Sequence, residues 1–267
     1  MNPRDAQPVL AARGISLGYG SRTIVADLDL GIHAGDFKVI VGPNGCGKST
    51  LLKAFARVNK PTAGRLALDG EPVAKMNGRA VARRISLLPQ GAVAPEGITV
   101  GDLVARGRHP HHTLLRQWSP ADDAAISAAL QRTRLAGMEK VPVASLSGGQ
   151  RQRAWLAMVL AQDTDIILLD EPTTYLDIAH QYDLLELFAQ LNREGRTIVA
   201  VLHDLNQAAR FASDLVVMKD GAIHAQGAPR AILTSELVRQ VFGLEAEVMD
   251  DPQSGTPMVV PHVRAAV

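Results

Sequence analysis

The 267-residue chain has only one cysteine, Cys46. That excludes an internal disulfide and suits a reducing compartment. Its formal net charge is +1, which excludes nucleic-acid binding driven by bulk charge. No apolar run approaches the roughly eighteen residues that span a bilayer. The opening residues Met1-Asn2-Pro3-Arg4-Asp5 lack the apolar stretch of a secretory signal. Internal repeats, low-complexity tracts and sustained heptads are missing too. What remains is the expectation of a soluble, cytosolic α/β chain. It is long enough to bury a full core as one domain, or as one domain with an insertion.

Against these absences stands Gly42-Pro43-Asn44-Gly45-Cys46-Gly47-Lys48-Ser49-Thr50. The pattern is Gly, four residues, then Gly-Lys-Ser, that of a phosphate-binding loop. The apolar run Phe37 to Val41 before it reads as a buried strand. After it, Leu51, Leu52, Phe55 and Val58 recur at helical spacing. Glycines let backbone N–H groups turn inward around a polyphosphate, and the helix aims its positive end at the same place. Lys48 is expected to reach the β- and γ-phosphates of ATP, and the Ser49 hydroxyl to ligate Mg²⁺. Cys46 reads as a small residue tolerated in the loop, because the chemistry uses backbone amides rather than a thiolate.

Around the loop the pattern changes several times. Pro8 to Ile32 is β-like, with Ile24, Leu28, Leu30 and Ile32 expected on one buried face. Leu66 to Leu68 enters a turn at Asp69-Gly70, and Ile85 to Leu88 is a further strand ending at Pro89-Gln90. From Gly91 to Ser145 strand patterns give way to helical ones at Val100 to Ala105 and Asp122 to Thr133. The segment Arg106 to His112 between them is irregular. Strand and helix then alternate: Ile166 to Leu169, Ile178 to Leu191, Thr197 to Leu202, and a helix opened by a capping box at Asp204-Leu205-Asn206-Gln207. Leu215 to Met218 and Ala222 to Gln226 read as a hairpin turning at Asp220-Gly221. The expected organisation is a core of 1–90 and 146–227, a helical subdomain of 91–145, and an extension of 228–267.

Ile166-Ile167-Leu168-Leu169-Asp170-Glu171 is an apolar strand ending in two carboxylates. Side chains alternate across a strand, so the two acids take different tasks. One faces Mg²⁺, and the other faces the water that attacks the γ-phosphate. Leu146-Ser147-Gly148-Gly149-Gln150 precedes a helix from Arg151 to Gln162. Ser147 and the glycine amides therefore form a second anion site at a helix N-terminus. Two anion sites with only one lysine-bearing loop are reconciled if each nucleotide lies between the loop of one copy and the Ser-Gly-Gly of another, in a twofold homodimer.

With these motifs in order, the chain resembles the ATP-binding subunits of ATP-binding-cassette (ABC) transporters along almost its whole length. The Leu-Ser-Gly-Gly-Gln signature separates that family from other phosphate-loop ATPases. The resemblance implies a RecA-like P-loop core with an N-terminal antiparallel β part and a mostly α-helical inserted subdomain. It also implies roles by matching position. Tyr19 stacks on adenine. Gln90 touches Mg²⁺ and the attacking water and links to the membrane subunits. Asp170 is the Mg²⁺-side carboxylate, Glu171 the catalytic base, and His203 the γ-phosphate switch. Thr174-Tyr175-Leu176-Asp177 crosses the dimer interface. No arginine finger is evident, so Ser147, Gly148 and Gly149 of the second copy would fill that place, with Gln150 counted among the nucleotide-binding residues.

Val104-Ala105-Arg106-Gly107-Arg108-His109-Pro110 with Trp118, Asp122 and Asp123 resembles the matching segment of iron–siderophore importers. So do the helix after the signature, Val201 to Ala208, and the tail Asp251 to Pro257. Ferric enterobactin-type ATPases look nearest. The implied assembly is a peripheral homodimer on the cytoplasmic face of the membrane, docked on two permease subunits. An extracytoplasmic siderophore-binding protein feeds them, and no nucleic acid takes part. Haem, vitamin B12, zinc or manganese import, and a soluble non-transport ABC ATPase, are the alternatives. His109, His111 and His112 invite a metal reading, but no carboxylate or cysteine nearby completes a ligand set. Arg106, Arg108 and Arg116 read as permease contacts or solvated charge rather than lipid-headgroup ligands.

Overall fold

Strands β1 (Leu10–Tyr19) and β2 (Arg22–Ile32) open the chain as an antiparallel pair, ahead of β3 (Phe37–Val41) and α1 (Lys48–Phe55). β4 (Ala63–Leu68) and β5 (Glu71–Pro72) add to β1, giving the sheet order β2-β1-β4-β5. The computed structural model describes residues 7–20, 22–113, 118–174 and 176–262. Met1 to Asp5, Arg116 and Tyr175 lie outside these. The chain forms two units, residues 1–74 with 198–267, and residues 75–197.

The second unit contains α2 (Gly78–Ala82), β6 (Ile85–Leu88), α3 (Val100–Ala105), α4 (Pro120–Arg132), α5 (Gly148–Ala161), β7 (Ile166–Asp170) and α6 (Ile178–Arg193). β6 and β7 pair in parallel with Leu88 opposite Leu169. Helices α3, α4 and α5 close over one apolar cluster that includes Val100, Leu103, Leu130, Leu135, Leu146, Ala154 and Ala157. Arg106–His111, irregular by sequence, is a 3₁₀ turn containing Pro110. Helix α4 begins two residues before the expected Asp122. Ser119 and Asp122 form a reciprocal capping box there, with Pro120 at the first helical position.

The chain returns to the first unit with β8 (Thr197–Val201), α7 (Leu205–Phe211), β9 (Asp214–Lys219), β10 (Ala222–Gly227), α8 (Pro229–Ile232), α9 (Ser235–Phe242) and the hairpin β11 (Ala246–Asp250) and β12 (Pro257–Pro261). Within this unit the order is β10-β9-β3-β8. β3 runs parallel to both β8 and β9, with all five of its residues buried. A strand wet on neither face reads as the continuous apolar run seen in the sequence. Lys38 is the exception in composition. Its ammonium is buried on β3, paired with Asp214 and 3.5 Å from Asp36, as a buried charge requires.

Three expectations are corrected here. Val58 does not continue the buried face of α1; the helix ends at Phe55, Arg57 takes φ +60°, and Val58 is 62% exposed. In β2 the inward residue is Val25 rather than Ile24, because a bulge lies between Val25 and Leu28, with Asp27 at φ +48°. One extra residue flips the alternation. Arg108 is neither solvated nor placed for a headgroup. It is 6% exposed, and its Nε donates to Asp122 Oδ1 at 2.8 Å and Nη1 to the Ala161 carbonyl at 2.8 Å.

Candidate active site

In the first unit the chain leaves buried β3 at Val41 and turns back into α1 at Lys48. Two glycines make that turn possible. A Cβ on Gly42 would stand 2.2 Å from the Met218 carbonyl oxygen. One on Gly47, at φ +103°, would stand 2.7 Å from Val25 Cγ2. Neither space admits a side chain. Asn44 and Gly45 at the tip are exposed, whereas Pro43, Ser49 and Thr50 are half-buried. The Lys48 side chain curls over the loop and is 5% exposed, donating to Gly42 O at 2.8 Å and Pro43 O at 2.9 Å. A cation held by two neutral carbonyls, inside a turn of backbone amides, matches a polyanion. Cys46 Sγ lies 4.0 Å from the same ammonium. Burial pushes its thiol up despite the nearby charge, so it is not poised as a thiolate.

Tyr19 is the last residue of β1. Its ring is 54% exposed, and its hydroxyl accepts from Asn59 Nδ2 at 2.9 Å. His203 is exposed, just beyond β8 and before α7. Asp204 caps that helix by accepting from Asn206 N and Gln207 N.

In the second unit the parallel register carries the chemistry. Leu88 faces Leu169, so two residues on Gln90 meets Glu171, with Gln90 Nε2 donating to Glu171 Oε2 at 2.6 Å. Asp170 ends β7 at 1% exposure. Glu171 is half-buried at φ +51°, a conformation that costs a non-glycine residue of order 1 kcal/mol or more and gathers at functional sites. Thr174 Oγ1 reaches Glu171 Oε2 at 3.4 Å.

Ser147 caps α5 in a reciprocal box. Its Oγ accepts from Gln150 N at 3.2 Å, and its own N–H donates to Gln150 Oε1 at 3.0 Å. Gln150 thus faces back along its own chain, and Gly148 and Gly149 supply the first helical amides, which have no partner within a helix. Asp177 caps α6, accepting from His180 N at 2.9 Å and meeting His180 Nδ1 at 2.7 Å. These hydrogen bonds hold its carboxyl below the usual range.

The histidine segment is taken up by packing. His111 Nε2 bonds to Gln162 O at 2.8 Å, and the His112 ring packs between His109 and Trp118, tilted 56° and 54° to them at centroid distances of 6.2 and 5.5 Å. Among the described residues no three metal-ligating side chains gather. Residues that sequence reasoning passed over include Asn59 behind Tyr19, and two glutamines, Gln152 and Gln181, that bond the turn after Glu171. No short motif announces them.

Known proteins resemble this chain along most of its length. The family model described as ABC transporter matches residues 25–174. The ferric enterobactin transport ATP-binding protein FepC of Escherichia coli is 53% identical over 96% of this chain and 95% of its own. The petrobactin import ATP-binding protein FpuD of Bacillus anthracis is 49% identical over 96% of this chain and 94% of its own. Among solved structures, a dimeric bacterial ABC transporter cassette superposes with a TM-score of 0.73 at 26% identity, covering 82% of this chain and 98% of that one. A model matching more than half of the residues, together with relatives this similar along nearly the whole length, shows that the chain belongs to the ABC transporter family, as one of its ATP-hydrolysing subunits.

Proposed function

We propose that the chain powers import of a ferric siderophore, hydrolysing Mg·ATP as a pair of identical copies docked on two membrane permease subunits at the cytoplasmic face. Support for the cargo comes from relatives named for ferric enterobactin and petrobactin transport at 53% and 49% identity. Support for pairing comes from the dimeric cassette. It also comes from the exposed Ser147 and Gly148 at the α5 N-terminus of a chain with one lysine-bearing loop. No helix among the described residues is long and apolar enough to cross a membrane. An extracytoplasmic binding protein would act upstream of the permease subunits.

The Asp170 carboxylate, the Ser49 hydroxyl and the Gln90 carboxamide are hard oxygen donors, and a buried carboxylate such as Asp170 suits a divalent cation. Mg²⁺ held by these groups would neutralise phosphate charge and orient the leaving oxygens. The chain's own residues do the rest. Tyr19 offers its exposed ring to the base, and Gly42 to Thr50 wrap the phosphates. Lys48 moves from Gly42 O and Pro43 O to the β- and γ-phosphate oxygens. Glu171 accepts a proton from the attacking water, with Gln90 holding its second oxygen. His203 and the second copy's Ser147, Gly148 and Gly149 stabilise charge on the transferring group. Gln150 and Asp177 hold the ends of the two helices that frame the shared face.

The observation that carries the catalytic reading is the strained Glu171 already in contact with Gln90 at 2.6 Å. The experiment is copurification with the permease subunits, then ATPase assay with a panel of chelates. Stimulation by ferric catecholates supports the cargo. Stimulation by cobalamin, haem or zinc alone removes it and leaves the ATPase reading in place.

A further inference from the structure

The turn Glu171-Pro172-Thr173-Thr174 is held from two sides by carboxamides. From helix α5, Gln152 Nε2 donates to the Pro172 carbonyl at 2.9 Å. From helix α6, Gln181 Nε2 donates to Thr173 O at 3.3 Å and Leu176 O at 3.0 Å. Proline has no N–H, so the Pro172 carbonyl is the one backbone hydrogen-bonding group that this residue offers. Glu171 immediately before it sits at φ +51°. Such a conformation persists only where surrounding contacts over-determine it.

We infer that Gln152 is a positioning residue. Its hydrogen bond to Pro172 O keeps Glu171 in the left-handed conformation that presents its carboxylate to Gln90. This rests on the reading of Glu171 as the base. Gln152 lies little more than one turn beyond Ser147 on the same helix. The helix that offers Ser147, Gly148 and Gly149 to a phosphate is therefore the helix that sets the base. Gln181 holds the other end of the turn, so loss of Gln152 frees the Glu171–Pro172 end without unravelling the whole loop. Thr174, at 3.4 Å from Glu171, is too distant to replace it.

The test replaces Gln152 in the full-length chain by Met, which has similar length and no donor, and by Glu, which donates only when protonated. ATP turnover is measured per molecule of bound ATP, so that a misfolded fraction does not register. Gln152→Met should lower kcat about tenfold, roughly 1.4 kcal/mol of barrier, with KM for ATP unchanged. The ratio of Gln152→Glu to Gln152→Met turnover should rise as pH falls from about 7 toward 4.5, where a glutamate side chain begins to gain its proton. A space-filling role would not produce that pH dependence. Wild-type kcat in Gln152→Met, a loss carried by KM, or a flat ratio would each overturn the inference. Glu171→Gln is run alongside. If it is inactive while Gln152→Met is normal, only the inference fails. If it turns over normally, the base assignment fails first.

Discussion

Replacing Asp122 by Asn should destabilise the unit of residues 75–197 more than any exposed change in it. Asp122 is 3% exposed and Arg108 6%, joined by the 2.8 Å bond from Nε to Oδ1. The other carboxylate oxygen accepts from Ser119 N at 2.9 Å and Ser119 Oγ at 2.8 Å. Burial alone would raise this carboxyl, but hydrogen bonds from Arg108 and Ser119 together hold it at about 2. Removing one partner leaves a guanidinium buried without its counter-ion, which costs about 3–5 kcal/mol. With a urea slope of about 2 kcal/mol per molar, the midpoint falls by roughly 2 M. The assay is urea unfolding read by tryptophan fluorescence. The chain's two tryptophans, Trp118 and Trp155, both lie in this unit. The double variant Arg108→Met with Asp122→Asn should recover much of the loss, since no charge stays buried. Acid should act as the mutation does. The carboxyl is depressed in the folded state, so its contribution is complete above the unfolded value near 4 and is lost as pH falls through about 2. A midpoint shift below about 0.5 M in the single variant would refute the reasoning.

Two further outcomes follow from backbone geometry. Gly42→Ala should abolish tight ATP retention by equilibrium dialysis, because the new Cβ would meet the Met218 carbonyl at 2.2 Å; unchanged affinity would show that the turn can relax. Asn206→Ala should speed amide exchange at Val259 by on the order of tenfold, because the Asn206 carboxamide bonds both Val259 N at 2.7 Å and Val259 O at 3.2 Å. Unaltered exchange would mean that the β11–β12 hairpin needs no such brace.

How much of this was readable beforehand depends on where the determining contacts lie. The phosphate loop, the β7 carboxylates and the Ser147-Gly148-Gly149 helix N-terminus are local: a few adjacent residues carry both signal and structure. The two-residue turns at Asp69-Gly70 and Asp220-Gly221 were legible for the same reason, and both pairs take positive φ. Val58 and Ile24 failed because periodicity assumes an unbroken element. A left-handed Arg57 and a bulge at Asp27 break it without a sequence sign. Arg108 read as surface charge because its counter-ion, Asp122, lies on a different helix. Gln152 escaped notice because its partner is a main-chain carbonyl twenty residues on, and carbonyls leave no mark in a sequence.

In the proposed cycle two copies share each nucleotide, and the mass of the Glu171→Gln chain in solution reports whether they do. With Mg·ATP it should sediment at twice the 28.5 kDa of one chain and return to the single mass when nucleotide is removed. A single-chain mass at saturating Mg·ATP would contradict that sharing.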